Sequence, residues 1–244
     1  MDSTDTQTQL ETLERHLARH RPRTRIRWVV AAAAAAAVVA ALVVVDGRGD
    51  DRSNTPAGPV DEGAAIELAS DFVDALAAYD AERAVSNLAD DARIRLRTST
   101  LDATLIGPQL RWTRAAGFRL LPRSCEPSNV SAPAPAATIA CAYAVQGLGS
   151  ERLGRGPFSG YVLRLTVEDG EIVSGSEQIG HDGFSGVMWE PFTAWLVTNH
   201  AGDAASMYAD WPAARQPALT ERSAMLWARN VDRYVRAVER GDAS

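Results

Sequence analysis

The spacing of hydrophobic positions changes three times along the chain. Residues 28–45, WVVAAAAAAAVVAALVVV, form an unbroken apolar run without charge, proline or glycine. As a helix rising about 1.5 Å per residue it would span roughly 27 Å, close to the hydrocarbon thickness of a bilayer. From residue 64 the pattern becomes helical, with Ile66, Ala69, Phe72, Val73, Leu76 and Ala77 on one stripe over 64–79. Asp80 suits the N-cap of a second, short helix in which Ala84, Val85 and Leu88 face inward and which Asp90 and Asp91 end. Residues 94–105 have no decisive period. Residues 109–116 read as a helix closed by Gly117.

After Gly117 the period becomes two. Residues 117–125 and 137–145 read as strands separated by a proline- and serine-rich loop, and 158–168 and 171–179 flank Asp169-Gly170, a strong hairpin signal. Helical spacing then returns. Residues 191–199 start with Pro191 in the first turn, 201–208 form a short helix, and Thr220 caps a long one. The apolar face of that last helix is Ala224, Trp227, Val231, Tyr234, Val235 and Val238. Helices followed by consecutive strands predict an α+β fold. The expected architecture is a curved antiparallel sheet wrapped around the first helix, a cone-shaped roll with an extra C-terminal helix.

Charge sets the domain organisation. Arg15, Arg19, Arg21, Arg23, Arg25 and Arg27 precede the apolar run, whereas Asp46, Asp50 and Asp51 outweigh Arg48 and Arg52 after it. The positive-inside rule then puts residues 1–27 in the cytoplasm as a basic arm, 28–45 across the membrane, 46–63 in a flexible linker and 64–244 outside as one domain. A cleaved signal peptide is the competing reading, because the run is alanine-rich and therefore weakly hydrophobic. A retained anchor fits better, since Val43-Val44-Val45-Asp46 lacks a small-x-small cleavage site. In the arm, Leu10, Leu13 and Leu17 have helical spacing, which suits either a docking helix for a protein partner or a solvated juxtamembrane segment. Arg48-Gly49-Asp50 matches an adhesion tripeptide by coincidence, lying beside the bilayer.

Net charge is −6 over 244 residues, and all 25 basic residues are arginine, a bias that fits a GC-rich bacterium. An acidic outer domain argues against nucleic acid as a partner. Cys125 and Cys141, the only cysteines, lie near the ends of neighbouring strands. A metal pair would want more soft ligands, and a redox couple would want Cys-x-x-Cys, so a structural disulfide in an oxidising compartment is the reading.

The run at 68–92, LASDFVDALAAYDAERAVSNLADDA, resembles the start of nuclear transport factor 2-like domains, which include polyketide-cyclase and ketosteroid-isomerase relatives. LGRGPF at 153–158, VEDGEI at 167–172, WEPF at 189–192 and Asn199-His200 resemble uncharacterised actinobacterial extracytoplasmic members. The resemblance spans roughly residues 64–210. It implies a long helix, a short helix starting near an aspartate, and a curved sheet enclosing a conical pocket. Open sheets of this type often dimerise, so a second copy is a candidate partner.

Two classes of function follow. One is a non-catalytic binding or interaction module at the cell envelope, for a small apolar ligand or a protein. The other is a small-molecule isomerase, dehydratase or hydrolase with a carboxylate or histidine as general base. Its candidates are Asp80, His181 and Asp182, with Tyr79, Tyr143, Trp189 and Glu190 as ligand contacts. Each has a structural alternative: Asp80 as a cap, His181-Asp182 as a polar turn and helix cap, Trp189 and Trp195 as core. His200 suits a helix C-terminus. No phosphate-cradling glycine loop and no Gly-x-Ser-x-Gly is present. Four histidines, two of them in the arm, leave little for a zinc site. No cofactor is expected.

Overall fold

In the computed structural model, the Asp61 carboxylate accepts the Gly63 amide at 2.9 Å and caps the first helix, α1 (Glu62–Ala78). The structure describes residues 61–96, 99–128, 136–180, 183–211 and 216–243. The expected arm, the apolar run at 28–45 and nearly all of the linker lie outside them. Among the described residues no helix is long and apolar enough to cross a membrane.

α1 buries Ala65, Ala69, Phe72, Val73, Ala75 and Leu76 and stops at Tyr79, which takes the left-handed conformation at φ 58°. Asp80 then caps α2 (Ala81–Ser86) by accepting the Arg83 amide at 3.1 Å. Asp71 of α1 holds this corner. It accepts from the Arg83 guanidinium Nε at 3.0 Å and from Asn87 Nδ2 at 2.9 Å. These bonds hold the Asp71 carboxyl below the usual carboxylate range, Arg83 contributing most.

The chain continues as β1 (Leu88–Leu96), β2 (Ser99–Leu101), α3 (Ala103–Ala115), β3 (Arg119–Pro127), β4 (Ala137–Gln146), β5 (Phe158–Glu168) and β6 (Glu171–Ile179). The six strands form one sheet in the order β2-β1-β6-β5-β4-β3. Two expectations change here. Asp90 and Asp91 do not end a helix but lie exposed within β1, at a register irregularity between Leu88 and Arg93. The sheet is mixed rather than antiparallel, because β1 runs parallel to β6. β1 and β6 are joined through β2, α3 and three further strands, so no hairpin turn dictates their direction. α3 also starts earlier than its period suggested. Asp102 caps it by accepting the Thr104 amide at 3.0 Å, and it tolerates Pro108 in its second turn.

Register shifts between Pro122 and Ser124, Tyr143 and Val145, and Thr166 and Val167 bend the sheet into a trough around α1. The hairpin at Asp169-Gly170 has φ 51° and 80°, the left-handed pair that a tight turn needs. Cys125 and Cys141 are directly paired across β3 and β4 and form a disulfide, with 4.0 Å between Cα atoms.

A second layer follows the sheet. A π-helical turn (Ser185–Trp189) leads into α4 (Glu190–Asn199) and α5 (Ala201–Met207), then the short pair β7 (Tyr208–Ala209) and β8 (Gln216–Pro217), and finally α6 (Glu221–Arg240). Thr220 caps α6 by accepting the Ser223 amide at 3.1 Å, and Gly241 ends it at φ 80°. Trp227 of α6 is fully buried. Its ring stacks on Trp189 and Phe192, with centroids 5.7 and 5.4 Å apart, and meets Trp112 of α3 edge to face at 5.6 Å. Its Nε1–H donates to the Met207 carbonyl at 3.2 Å.

Trp227→Ala removes this junction and should cost about 3–5 kcal/mol of unfolding free energy, read by urea denaturation. Reducing the Cys125–Cys141 bond, which spans 16 residues, should cost about 3 kcal/mol on the chain-entropy account. The denaturation midpoint with and without reductant measures it.

Candidate functional site

Alternate residues of the central strands face the inside of the trough. Tyr143 and Val145 of β4, Tyr161 and Leu163 of β5, and Glu177 and Ile179 of β6 share this face. Directly opposed residues in an antiparallel pair point the same way, and here Tyr143 opposes Tyr161, Tyr161 opposes Ile179 and Leu163 opposes Glu177. α1 covers only part of the face, ending at Leu76. The remainder encloses a cavity of about 500 Å³, the size of a small-molecule site.

The other walls come from the second layer. α3 supplies Trp112 and Thr113, the segment before α4 supplies Phe184 and Trp189, and Phe118 lies beneath them. Phe118 and Phe184 are 5.4 Å apart and Trp112 and Phe118 also 5.4 Å, so the aromatic wall is continuous. Arg155 Nη1 donates to the Val187 carbonyl at 3.0 Å and pins the π turn that carries Trp189. The mouth is edged by Ser99, Gln109, Ser185 and Gln216 and by Ile179, which is 46% exposed.

Among the described lining residues, Glu177 is the one charged side chain. The Tyr143 hydroxyl donates to its Oε1. Tyr143 and Glu177 sit two strands apart, roughly 9–10 Å at strand spacing, and the phenol reaches across β5 beside Tyr161, with centroids 5.5 Å apart. Glu177 faces inward because of a bulge. Val167 opposes Ile172 while Thr166 opposes Ser174, so Val173 is an extra residue and the facing of every later β6 position is inverted. Two positions before Glu177, Gly175 lies against the floor. A Cβ there would sit 2.8 Å from Leu165 Cδ2 and 2.9 Å from Ile94 Cδ1, so a larger residue would have to displace the ends of these two buried side chains beneath the cavity.

Comparison with known proteins finds similar solved structures over about half of the chain. No protein-family model matches the chain, and no curated protein matches it. Among solved structures, an NTF2-like protein of unknown function from Cytophaga hutchinsonii is 12% identical, with 47% of this chain and 88% of that one covered at a TM-score of 0.35. An NTF2-like protein with a cystatin-like fold from Novosphingobium aromaticivorans is 15% identical, with 50% and 82% covered at 0.37. A de novo designed protein with a curved β-sheet is 12% identical, with 54% and 96% covered at 0.37. Others bear provisional polyketide-cyclase and ketosteroid-isomerase names. At these identities and TM-scores the neighbours do not bear on activity.

The structure separates the residues singled out from sequence. Tyr143 and Trp189 line the cavity. Asp80 is an exposed helix cap outside it. Tyr79 lies behind the wall and donates to the Phe118 carbonyl at 2.5 Å, fixing the start of β3. Glu190 is exposed and accepts from Ser185 Oγ at 3.3 Å. Trp195 is core, and His200 ends α4 with its ring 5.0 Å from that of Trp195. His181 and Asp182 lie outside the described residues. Among the described residues no group of three or more His, Cys, Asp or Glu side chains is placed to hold a metal.

Burial pushes the Tyr79 hydroxyl above its ordinary value, against the opposing pull of Arg119 and Arg114. A raised folded value means the neutral phenol stabilises the fold up to its ordinary pKa of about 10. That contribution is lost as pH rises through the raised folded value. Tyr79→Phe should cost about 1 kcal/mol at neutral pH and should flatten the alkaline fall in stability, both read from denaturation across pH 7–11.

Proposed function

We propose that the chain is a membrane-anchored extracytoplasmic binding module whose cavity takes a small, largely apolar molecule, and that it is not an enzyme. The observation that carries this reading is the open cavity of about 500 Å³, walled by aromatic and aliphatic side chains with a single carboxyl group among its described lining. Such a shape can bury most of a small ligand, while the few polar groups orient it. The disulfide suits an oxidising compartment, and the apolar run at 28–45 with its flanking charges supports an anchor whose N-terminus is cytoplasmic.

One observation favours a second reading. A carboxyl group on an apolar wall, hydrogen-bonded by a phenol, is a suitable general base for an isomerase, dehydratase or hydrolase, with Glu177 in the role considered for Asp80 or His181. Binding is preferred because the described lining is mostly aromatic and aliphatic, which suits holding an apolar body, and the Tyr143 hydroxyl is engaged by Glu177 itself.

The test is titration of the purified full-length chain with 4-phenyl-1-butanol, a neutral apolar probe, read by tryptophan fluorescence, since Trp112 and Trp189 line the cavity. Saturable binding is expected, with a stability gain of about 1.4 kcal/mol at ten times Kd. Ile179→Trp, which blocks the mouth, should abolish it while leaving circular dichroism unchanged. Equal binding by this variant, or none by the native chain, overturns the pocket reading. Release of the chain from membranes by alkaline carbonate, or a mature mass starting after residue 45, overturns the anchor.

A further inference from the structure

Resting on the reading of residues 28–45 as an anchor, we propose that an outward row of arginines on α6 is a docking surface for an anionic phospholipid membrane. Arg222, Arg229, Arg233, Arg236 and Arg240 are spaced seven, four, three and four residues apart. At about 3.6 residues per turn they fall on one face of α6, in a row roughly 27 Å long. Met225 lies on the same face between Arg222 and Arg229 and is 68% exposed. The opposite face of the helix, with Trp227, Val231, Tyr234 and Val235, is buried. The row therefore points outward.

The charges of α6 are sorted by side. Glu221, Asp232 and Glu239 form a separate acidic row along one flank and face the body of the domain. Glu221 pairs with Arg111 at 3.4 Å, and Arg152 binds Asp232 and Glu239, both at 3.1 Å. The arginine row keeps its side chains in solvent: those of Arg229, Arg233, Arg236 and Arg240 are between 41% and 61% exposed, although Asp203, Asp232 and Asp242 lie against them. Five guanidinium groups against these three carboxylates leave the face positive by two, within a chain of net charge −6. A guanidinium has five N–H donors in a planar fork, so one carboxylate contact leaves donors for a phosphate.

A lipid surface fits this row better than an acidic protein does. A protein would have to match the spacing of the arginines, whereas a fluid layer of anionic head groups adapts to it and meets it at several points at once. An exposed methionine among arginines also suits the boundary between head groups and acyl chains. An anchor followed by the linker at 46–63 would hold the domain within a coil's reach of such a surface, on the order of 23 Å.

The experiment places the full-length chain on vesicles of phosphatidylcholine alone and of an equal mixture with phosphatidylglycerol. Hydrogen peroxide converts exposed methionine to its sulfoxide. Peptide mass spectrometry reads the rate at Met225, with the fully buried Met188 and Met207 as internal references. On anionic vesicles Met225 should oxidise about tenfold more slowly than on neutral ones, and raised salt should restore the neutral rate. Arg222→Gln combined with Arg233→Gln should remove most of that protection with circular dichroism unchanged, since the ion pair of Arg233 with Asp203 is a long one, 4.0 Å. Equal oxidation on the two kinds of vesicle overturns the inference, as does protection that persists in raised salt. Protection by soluble polyglutamate on neutral vesicles, with none from anionic lipid, assigns the row to an acidic protein and overturns the lipid surface. Flotation separates these outcomes from the anchor. A chain that does not float with neutral vesicles overturns the anchor; slower oxidation of Met225 on anionic vesicles than in the free chain then still supports the row, and equal oxidation overturns both. The salt dependence of the native chain decides the question even where the double variant does not fold.

Discussion

The burial of Trp227 is the contact on which the rest of the architecture depends. A curved sheet and one helix cannot close a cone, and the missing wall is built by α3 and the segment before α4. Trp112 and Trp189, one from each, both rest on the Trp227 ring. The indole is anchored in turn by its bond to the Met207 carbonyl, which also accepts from Ser223 Oγ at 3.0 Å. The C-terminal helix is therefore part of the cavity wall. Apolar burial of this size contributes several kcal/mol, enough to hold two otherwise separate elements in register with the sheet.

Closure at one side leaves space at the other. α1 fills the trough with small residues along much of its length, Ala65, Ala69 and Ala75 among them, and this close approach lets the strands wrap around it. Beyond Leu76 the helix ends, the phenol of Tyr79 turns behind the wall, and the concave face is left to aromatic and aliphatic side chains with, among the described residues, one carboxyl group. Burying a carboxyl group in such a place is costly unless it is hydrogen-bonded. Tyr143 supplies a bond, and the resulting pair gives the cavity its chemical character.

Much of this was legible from local patterns. Period-two alternation located β5 and β6 to the residue, because the Asp169-Gly170 turn marks both ends at once. Caps located α2 and α6 through Asp80 and Thr220. The pairing of Cys125 with Cys141 followed from their places near the ends of neighbouring strands. β1 was not legible, because its alternation is broken around Asp90 and Asp91 by an irregular register with β6. Its parallel direction had no local signal either.

The sequence by itself determined most of the helices and the β3–β6 strands after residue 61, since helical and strand periods, caps and tight turns depend on residues within one or two turns of each other. It also determined the apolar run at 28–45 and the charge asymmetry around it. The tertiary structure decided which residues share the cavity. Counting alternately from Ile172 turns Glu177 outward, and the bulge at Val173 reverses it. A bulge arises from how β6 pairs with both of its neighbours at once, so no stretch of β6 read alone announces it. The same holds for Trp112 and Trp189, 77 positions apart in the chain, which lie near each other only because α6 places one ring between them.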